Sequence, residues 1–169
     1  MMIPQTRWMD RKFSFEFPIG HFPIIVERLL GTPARLEEIT RGASAVILTK
    51  RRGDAWSMQE HAGHLIDLEE LHNWRIDDYI ANAEMLRGWD PANSKTYEAN
   101  HNARPIGEIL DQFRRGRKEF VGRLINYDER VLSRSALHPR LKIQMRLVDM
   151  AFFVAEHDDH HLARMRGLM

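Results

Sequence analysis

Four stretches of the chain carry apolar residues at helical spacing, and this periodicity constrains the fold more than any other feature of the sequence. Apolar residues that recur every three or four positions line one face of an α-helix. No stretch shows the alternation of apolar and polar residues that is typical of half-buried strands. The sequence therefore predicts an all-α protein, a four-helix bundle without a sheet. The predicted helical stretches are 19–41, 58–86, 105–126 and 145–165.

Start and stop signals set the boundaries of the first two helices. The first stretch contains Gly, Thr and Pro in succession, which predicts a break, with Thr32 as the N-cap and Pro33 at the first position of a continuation. In the second stretch, Ser57 and Glu60 have the spacing of a capping box. We therefore expect the second helix to begin at residue 58 and to end near Gly88.

The remaining segments predict how the helices are connected. Residues 1–18, rich in Phe and Pro, form an N-terminal extended arm ahead of a single domain, 19–169. The arm could cover a partner subunit or pack on its own bundle. Residues 89–104 are polar and long for a structureless connection. Such a length can return the chain along the bundle, so that the second and third helices run parallel. Residues 138–141 mark a loop before the fourth helix.

Charge and cysteine content exclude several classes of protein. Lys plus Arg number 25 and Asp plus Glu 24, so the net charge is +1, which gives no case for nucleic-acid or anionic-membrane binding. The basic residues of the third helix, 114–118, are better explained as a solvated face than as a phosphate patch. Without cysteine, the chain has no disulfide, thiolate ligand or thiol nucleophile, and a cytoplasmic location is expected. No apolar run approaches the roughly 20 residues of a membrane-spanning helix.

The placement of the nine histidines is the most informative feature for function. His157 and His161 are four residues apart, so they lie about 40° from each other on one helix face. That face is the apolar stripe of the fourth helix. His160 lies at its edge. The residue after His157 is Asp158, so the pair is not the H-E-x-x-H motif of zinc proteases and lacks its glutamate base.

The second helix also directs histidines toward the predicted interior. His61 and His64 are three residues apart on the apolar face, and helix geometry alone does not choose between them. Converging imidazoles in a core need partners, and one divalent metal ion satisfies several at once. Carboxylates are the alternative partners, in which case the histidines would be ordinary core residues. The candidates are Asp67, Glu69 and Asp158.

Two motifs resemble those of the DinB/YfiT-like family. The first, residues 56–65, reads WSMQEHAGHL, and the second, residues 155–164, reads AEHDDHHLAR. The lead-in to the fourth helix, HPRL followed by MRL, is also similar. The resemblance covers roughly residues 19–165 and implies a four-helix bundle with down-up-up-down order. One departure is Arg164-Met165, where relatives often have glutamine.

The resemblance also implies a site and an activity. It assigns one divalent metal ion, zinc, nickel or iron, to His64, His157 and His161. We expect His61 and His160 to lie outside this ligand set, as candidates for the surrounding shell. It implies a metal-dependent transferase or hydrolase-type enzyme that uses a low-molecular-weight thiol, such as bacillithiol or mycothiol, or metal-bound water on a small-molecule substrate. The alternative is a non-catalytic, stress-associated metal-binding bundle. A homodimer is expected from the same resemblance.

Overall fold

The computed structural model describes residues 3–169, and it is dominated by helices. Residues 1 and 2 of the predicted arm lie outside the described part of the chain. Of the described α-helices, four are long and three short, and a two-stranded hairpin precedes the last one; three single 3-10 turns complete the described helical elements. None of them is long and apolar enough to cross a membrane. The long helices are α1 (Phe22–Thr40), α3 (Met58–Ile80), α5 (Ile106–Leu124) and α7 (Leu147–Arg166); the short ones are α2 (Ala45–Thr49), α4 (Ser94–Glu98) and α6 (Glu129–Leu132).

Contacts between helix ends give the direction of each long helix. Near the start of α3, the Gln59 side chain donates to the carbonyl of Arg104, just before α5. Near the end of α3, Asn73 accepts from Arg123 at the end of α5. These helices are therefore parallel, as predicted. Tyr79 at the end of α3 donates to the carbonyl of Met145 just before α7, so α3 and α7 are antiparallel. Arg28 near the start of α1 lies over Phe152 near the start of α7, and Arg35 further along α1 donates to Asp159 further along α7, so these two helices are parallel. The down-up-up-down prediction is therefore confirmed.

The capping box at the start of α3 is present as predicted. The Ser57 hydroxyl accepts from the Glu60 backbone N–H at 3.1 Å, and the Glu60 carboxylate accepts from the Ser57 N–H at 2.9 Å. The far end of α3 differs from the prediction, because the helix ends at Ile80 rather than near Gly88. Asn82 adopts a left-handed conformation (φ 53°), and the Ala83 N–H bonds the carbonyl of Asp78. This Schellman-type cap ends the helix about two turns early.

The predicted break in the first helix is wrong, since α1 runs without interruption through Pro33. Proline cannot donate to the carbonyl four residues earlier, which belongs to Leu29. The Arg117 guanidinium of α5 donates to that carbonyl at 3.5 Å. Thr32 is not an N-cap, because it lies inside the continuous helix. Its hydroxyl donates to Asp158 of α7 at 2.8 Å and also lies 3.2 Å from the carbonyl oxygen of Arg28. A tertiary contact thus replaces the lost helical hydrogen bond.

The prediction of no sheet is wrong for one small element. Strands β1 (Ser135–Leu137) and β2 (Gln144–Arg146) form an antiparallel hairpin, with Ala136 opposite Met145, around the predicted loop. Three-residue strands are too short to produce a readable alternation in the sequence. The hairpin positions the loop residues 138–143 beside the start of α7.

The core of the bundle has two apolar clusters with a polar layer between them. One cluster lies toward the end of α3 and includes Ile76 and Phe120; the other lies toward its start and includes Leu65 and Phe113. Every long helix contributes a buried polar residue between these levels. The members of this polar layer are Thr32, His64, Glu69, His72, Arg117, His157, Asp158 and His161.

The N-terminal arm packs on its own bundle, one of the two predicted alternatives. The Phe13 ring lies 5.0 Å from Phe153 of α7, and the Arg146 guanidinium donates to the carbonyls of Phe15 and Phe17. The ring of Trp8, in a 3-10 turn of the arm, lies 4.9 Å from the ring of His157 in α7. The arm therefore forms part of the wall around the histidines.

Candidate metal centre and cavity

Three histidines predicted as ligands come together in the polar layer. Ligand atoms of His64, His157 and His161 all lie within 4.8 Å of one another, and all three residues are buried. The Nε2 atoms of His157 and His161 are 3.0 Å apart. Helix α7 presents His157 and His161 on one face, and the antiparallel helix α3 places His64 against them. Among residues 3–169, no Asp, Glu or further His joins this group.

Two of the three imidazoles are oriented by a second polar group. Nδ1 of His64 lies 2.9 Å from the Thr96 hydroxyl. If that nitrogen carries the proton, Nε2 keeps its lone pair for a ligand. Nδ1 of His161 lies 2.8 Å from Nδ1 of His61. For Nδ1 of His157, the described residues provide no hydrogen-bond partner. The histidines are thus held in place but incompletely satisfied.

The two candidates for the surrounding shell have different positions. His61 is buried and directly supports His161. His160 is half-buried, and its Nδ1 is 3.1 Å from the amide nitrogen of Gln5 in the arm. Its ring still packs edge-on against His161 at 5.4 Å. Both therefore lie beside the three imidazoles, and neither belongs to the group of candidate ligands.

Burial keeps these imidazoles neutral. It lowers the pKa of His64 to about 4 and the pKa of His61 to about 3, and it lowers the pKa values of His157 and His161 well below their ordinary range. The cause is loss of solvation, which disfavours the charged form. Neutral imidazole is the form that binds a metal ion.

The arrangement fits a divalent metal ion. A tetrahedral zinc ion with Zn–N bonds of about 2.0–2.1 Å holds its ligand nitrogens about 3.3 Å apart. The 3.0 Å separation between the Nε2 atoms of His157 and His161 is close to this value. With a proton on one Nε2 the two rings share a hydrogen bond; with the protons on Nδ1, the two lone pairs repel, and a cation between them removes that repulsion. The cluster could therefore hold a metal ion with three protein ligands.

The carboxylates that the sequence offered as alternative hydrogen-bond partners for the histidines are bound to other residues. Asp67 bonds Nε2 of His101 at 2.8 Å. Glu69 and Asp158 both accept from the guanidinium of Arg117, which is only 1% exposed. The interpretation of the helix-three basic residues as a solvated face is therefore wrong for Arg117, although Arg114 and Arg115 are exposed. None of these acids therefore pairs with His64, His157 or His161, although the buried His101 does pair with Asp67.

A cavity of about 320 Å³ opens from the three histidines along the seam between α3 and α7. Its size is in the range of small-molecule binding sites. Trp56 lies 4.7 Å from His64, and Trp8 of the arm lies 4.9 Å from His157, so indole rings flank the centre. Apolar residues of α3 and α7 form much of the remaining wall. They are Leu68, Leu71 and Phe153.

Sequence reasoning missed two buried residues in the long connection. Thr96 of α4 and His101 of the following 3-10 turn are 4% and 1% exposed, although their segment is polar. The signal for His101 is Gly63 in the middle of α3: a Cβ there would lie 2.2 Å from the His101 ring. Glycine allows this close approach, which helps to place the connection against His64. The sequence carries no comparable signal for Thr96.

Comparison with known proteins agrees with this architecture. Residues 28–165 match the sequence model of the DinB superfamily. The chain belongs to that superfamily. Its fold is similar to that of YfiT from Bacillus subtilis, with a TM-score of 0.80, 17% sequence identity and coverage of 94% of this chain and 91% of that protein. YfiT is described as a probable metal-dependent hydrolase with an unusual four-helix bundle topology. No curated protein matches the chain.

Proposed function

We propose that this DinB-superfamily protein is a metal-dependent enzyme with one divalent ion held by His64, His157 and His161. The observation that carries the proposal is the group of three buried imidazoles, without a fourth protein ligand in the described residues, on the wall of an open cavity. Structural zinc sites are usually closed by four protein ligands, whereas catalytic sites keep one position for water or substrate. The non-catalytic alternative is therefore less well supported.

The reaction that we propose is transfer of a low-molecular-weight thiol to an electrophilic small molecule. When bound, the ion would supply an open coordination position that acidifies a thiol or a water molecule near neutral pH. Because the chain contains no cysteine, the thiol must come from solution. Hydrolysis is the second candidate, and the description of YfiT as a probable metal-dependent hydrolase favours it.

The chain's own residues would orient the ligands and enclose the substrate. Thr96 orients His64 and His61 orients His161, in each case by a contact with Nδ1 of the ligand imidazole. Trp8 and Trp56 exclude water from two sides of the centre. The arm contributes Trp8, so we expect arm removal to expose the centre. The electrophile would lie in the cavity along α3.

A metal-reconstitution assay tests this proposal. The metal content of natively purified protein is measured, and the metal-free chain is then titrated with zinc, nickel and iron(II). Each form is assayed with bacillithiol, mycothiol and other small thiols against 1-chloro-2,4-dinitrobenzene, and with 4-nitrophenyl acetate in the absence of thiol. We expect thiol transfer that requires metal. Ester hydrolysis alone would select the second candidate.

The matched variants are His157→Ala and His21→Ala. His21 is exposed at the start of the bundle, remote from the cavity lining. We expect His157→Ala to abolish metal-dependent turnover and His21→Ala to retain it. Metal bound tightly with no turnover on either substrate class would favour the non-catalytic alternative. A fourth protein ligand found by X-ray absorption spectroscopy would also favour the non-catalytic alternative.

The homodimer and the cytoplasmic location remain predictions. Light scattering at micromolar concentration tests the first, since a monomer mass of about 19.9 kDa would exclude a dimer under those conditions. Packing of the arm on its own bundle leaves its Phe side chains half-buried, so the arm does not by itself require a partner.

A further inference from the structure

The cavity has a second polar region at the end remote from the three histidines. Arg75 of α3, together with His138 and Arg140 of the hairpin loop, lines this part of the wall. On α3, Arg75 lies about three turns, or roughly 16 Å of helix axis, beyond His64. On the other side, Phe153 separates the two regions: its ring contacts His138 at 5.1 Å and lies one turn before His157. The two polar regions thus lie at opposite ends of one cavity.

Arg75 is a buried cation without an ion-pair partner. It is 4% exposed, and its only hydrogen bond among the described residues runs from Nε to the carbonyl oxygen of Arg87 at 3.2 Å. The nearby carboxylate of Asp78 is bound to Arg87 by several hydrogen bonds. Nη1 and Nη2 of Arg75 are therefore uncommitted at the cavity wall. A buried charge without a partner is costly unless a ligand compensates it.

Arg140 adds further donors of the same kind. Its Nη2 is buried without an acceptor in residues 3–169, and Nη1 reaches only the Met9 sulfur, at 3.7 Å. The guanidinium stacks at 5.5 Å over each of the rings of Trp8 and Phe153, which fixes its position. Asp149, in the first turn of α7 after the hairpin, is paired with Arg146. No carboxylate of the described residues neutralises Arg140.

His138 supplies a third donor. The backbone N–H of Leu141 donates to its Nδ1 at 3.1 Å, so the proton of the neutral ring must be on Nε2. That Nε2–H is buried without an acceptor in the described part of the chain, and the residue is 1% exposed. Burial and the two nearby guanidinium charges lower the pKa of His138 to about 3, which keeps the ring neutral.

We propose that Arg75, Arg140 and His138 form an anion-binding subsite for a carboxylate or phosphate group on a small, largely apolar ligand. All three residues offer donors, and none of these donors has an acceptor at the cavity wall. An anion supplies the missing acceptors and neutralises the cations. The apolar body of the ligand lies against Phe153 and Leu68, and its other end points toward the three histidines.

The role of this subsite in substrate binding rests on the proposed function, but anion binding itself does not. A bound anion at this end fixes the ligand along the cavity, so that its remote end meets the metal centre. The enzyme would then select organic anions over neutral compounds of the same shape. The expected substrate class is an electrophile that carries a carboxylate or phosphate.

Paired ligands test the subsite without any substitution. Phenylacetate, phenyl phosphate and the neutral phenylacetamide are titrated into the full chain, metal-free and zinc-loaded. Binding is followed by calorimetry and by fluorescence of the cavity tryptophans, Trp8, Trp56 and Trp89. We expect at least one anion to bind about tenfold or more tightly than phenylacetamide, and the difference to shrink at high salt. A preference for the carboxylate or for the phosphate identifies the group.

Three variants locate the anion. Arg75→Met and Arg140→Met should each lower the affinity for the preferred anion about tenfold or more, because each removes a charge-assisted hydrogen bond. Arg115→Met, on an exposed face of α5, is the matched control and should leave it unchanged. Melting curves of each variant verify that it is folded. Because the ligand comparison uses the unaltered chain, a poorly folded variant does not decide the result.

The outcomes separate this inference from the proposed function. His157→Ala should lose metal but keep its affinity for the preferred anion, since the two ends of the cavity are distinct. If neither anion binds better than phenylacetamide, the subsite is wrong, whatever the metal titration shows. If anion binding requires zinc and survives Arg75→Met, the anion binds the metal and the subsite is likewise wrong. Failure to bind metal, with anion selectivity intact, would overturn only the proposed function.

Discussion

Two buried polar groups lie side by side in the middle of the bundle, and they differ in how completely their members are paired. In the ionic group, the Arg117 guanidinium donates to Glu69 and Asp158, and the Thr32 hydroxyl also donates to Asp158 at 2.8 Å. One oxygen of this group, Oε2 of Glu69, has no partner among the described residues. In the histidine group, His157 has no partner for Nδ1 among the described residues. The two groups meet at consecutive positions of α7.

This difference distinguishes a polar group that stabilises the fold from one that can bind a ligand. Consecutive residues of a helix point about 100° apart, so α7 directs Asp158 toward α1 and α5 and directs His157 toward the cavity. The ionic group is closed to solvent, and each of its carboxylates accepts a hydrogen bond from the buried guanidinium. Burial raises the pKa of Glu69 to about 7, and the negative charge of Asp158 acts in the same direction against the opposing effect of Arg117. The histidine group has free nitrogens at a cavity wall, which is where a ligand can complete it.

The largest effect on stability is expected from Arg117→Met. It leaves buried carboxylates without their cation, and breaking a buried pair in this way costs about 3–5 kcal/mol. Urea denaturation of the metal-free protein should show this loss, whereas the exposed Arg115→Met should change the free energy of unfolding by less than about 0.5 kcal/mol. A loss below about 1 kcal/mol for Arg117→Met would mean that the ionic group does not hold the bundle together.

The next effect concerns metal affinity rather than folding. His157→Ala removes one of three ligands and should weaken zinc binding about a hundredfold or more at neutral pH. His160→Ala, on the same helix but outside the group of three, should weaken binding much less. Calorimetric titration of the metal-free proteins measures both. Equal affinities for the wild type and His157→Ala would refute the metal centre and leave the histidines as core residues.

A smaller effect should appear in the pH dependence of stability. Burial lowers the pKa of His138 to about 3, against about 6.5 in the unfolded chain. The unfolded state therefore takes up the proton first, so the contribution of His138 is present above pH 6.5 and is lost as the pH falls toward 3. The loss is about 1.4 kcal/mol per pH unit.

The variant that checks this sign is His138→Gln, which keeps a polar side chain but cannot protonate. Between pH 6 and pH 4, its stability should fall less steeply than that of the wild type by about 1.4 kcal/mol per pH unit. Chemical denaturation of the metal-free proteins at several pH values gives both slopes. Parallel slopes would show that His138 is not kept neutral by burial.

The smallest effect is expected from Thr96→Val. The substitution keeps the shape of the side chain but removes the hydroxyl that orients Nδ1 of His64. Loss of such a second partner typically weakens metal binding 10- to 100-fold, and we expect about tenfold here. Thr49→Val, in which the hydroxyl contacts only the carbonyl of Ala45, is the control and should leave metal affinity unchanged. An unchanged affinity for Thr96→Val would show that the imidazole is held by packing alone.

Much of the fold, and two of the three candidate metal ligands, could be predicted from local patterns. The capping box at Ser57, the helical spacing of His157 and His161, and the apolar stripes depend on neighbours within about four residues, so they are readable in the sequence. The choice of His64 over His61 came from family resemblance, and the structure brings His64 into the group of three while His61 supports it. Whether the three bind a metal stays a prediction.

Other features were decided only by contacts between distant segments. Helix α1 passes through Pro33 because Arg117, far along the chain, bonds the freed carbonyl of Leu29. Thr96 comes from a connection without a readable pattern, and His101 is buried because Gly63 admits its ring. The sequence by itself determined which helix faces are apolar and which carry histidines. The tertiary structure decided which buried polar groups are paired and which remain free at the cavity wall, because pairing depends on how the helices pack against one another.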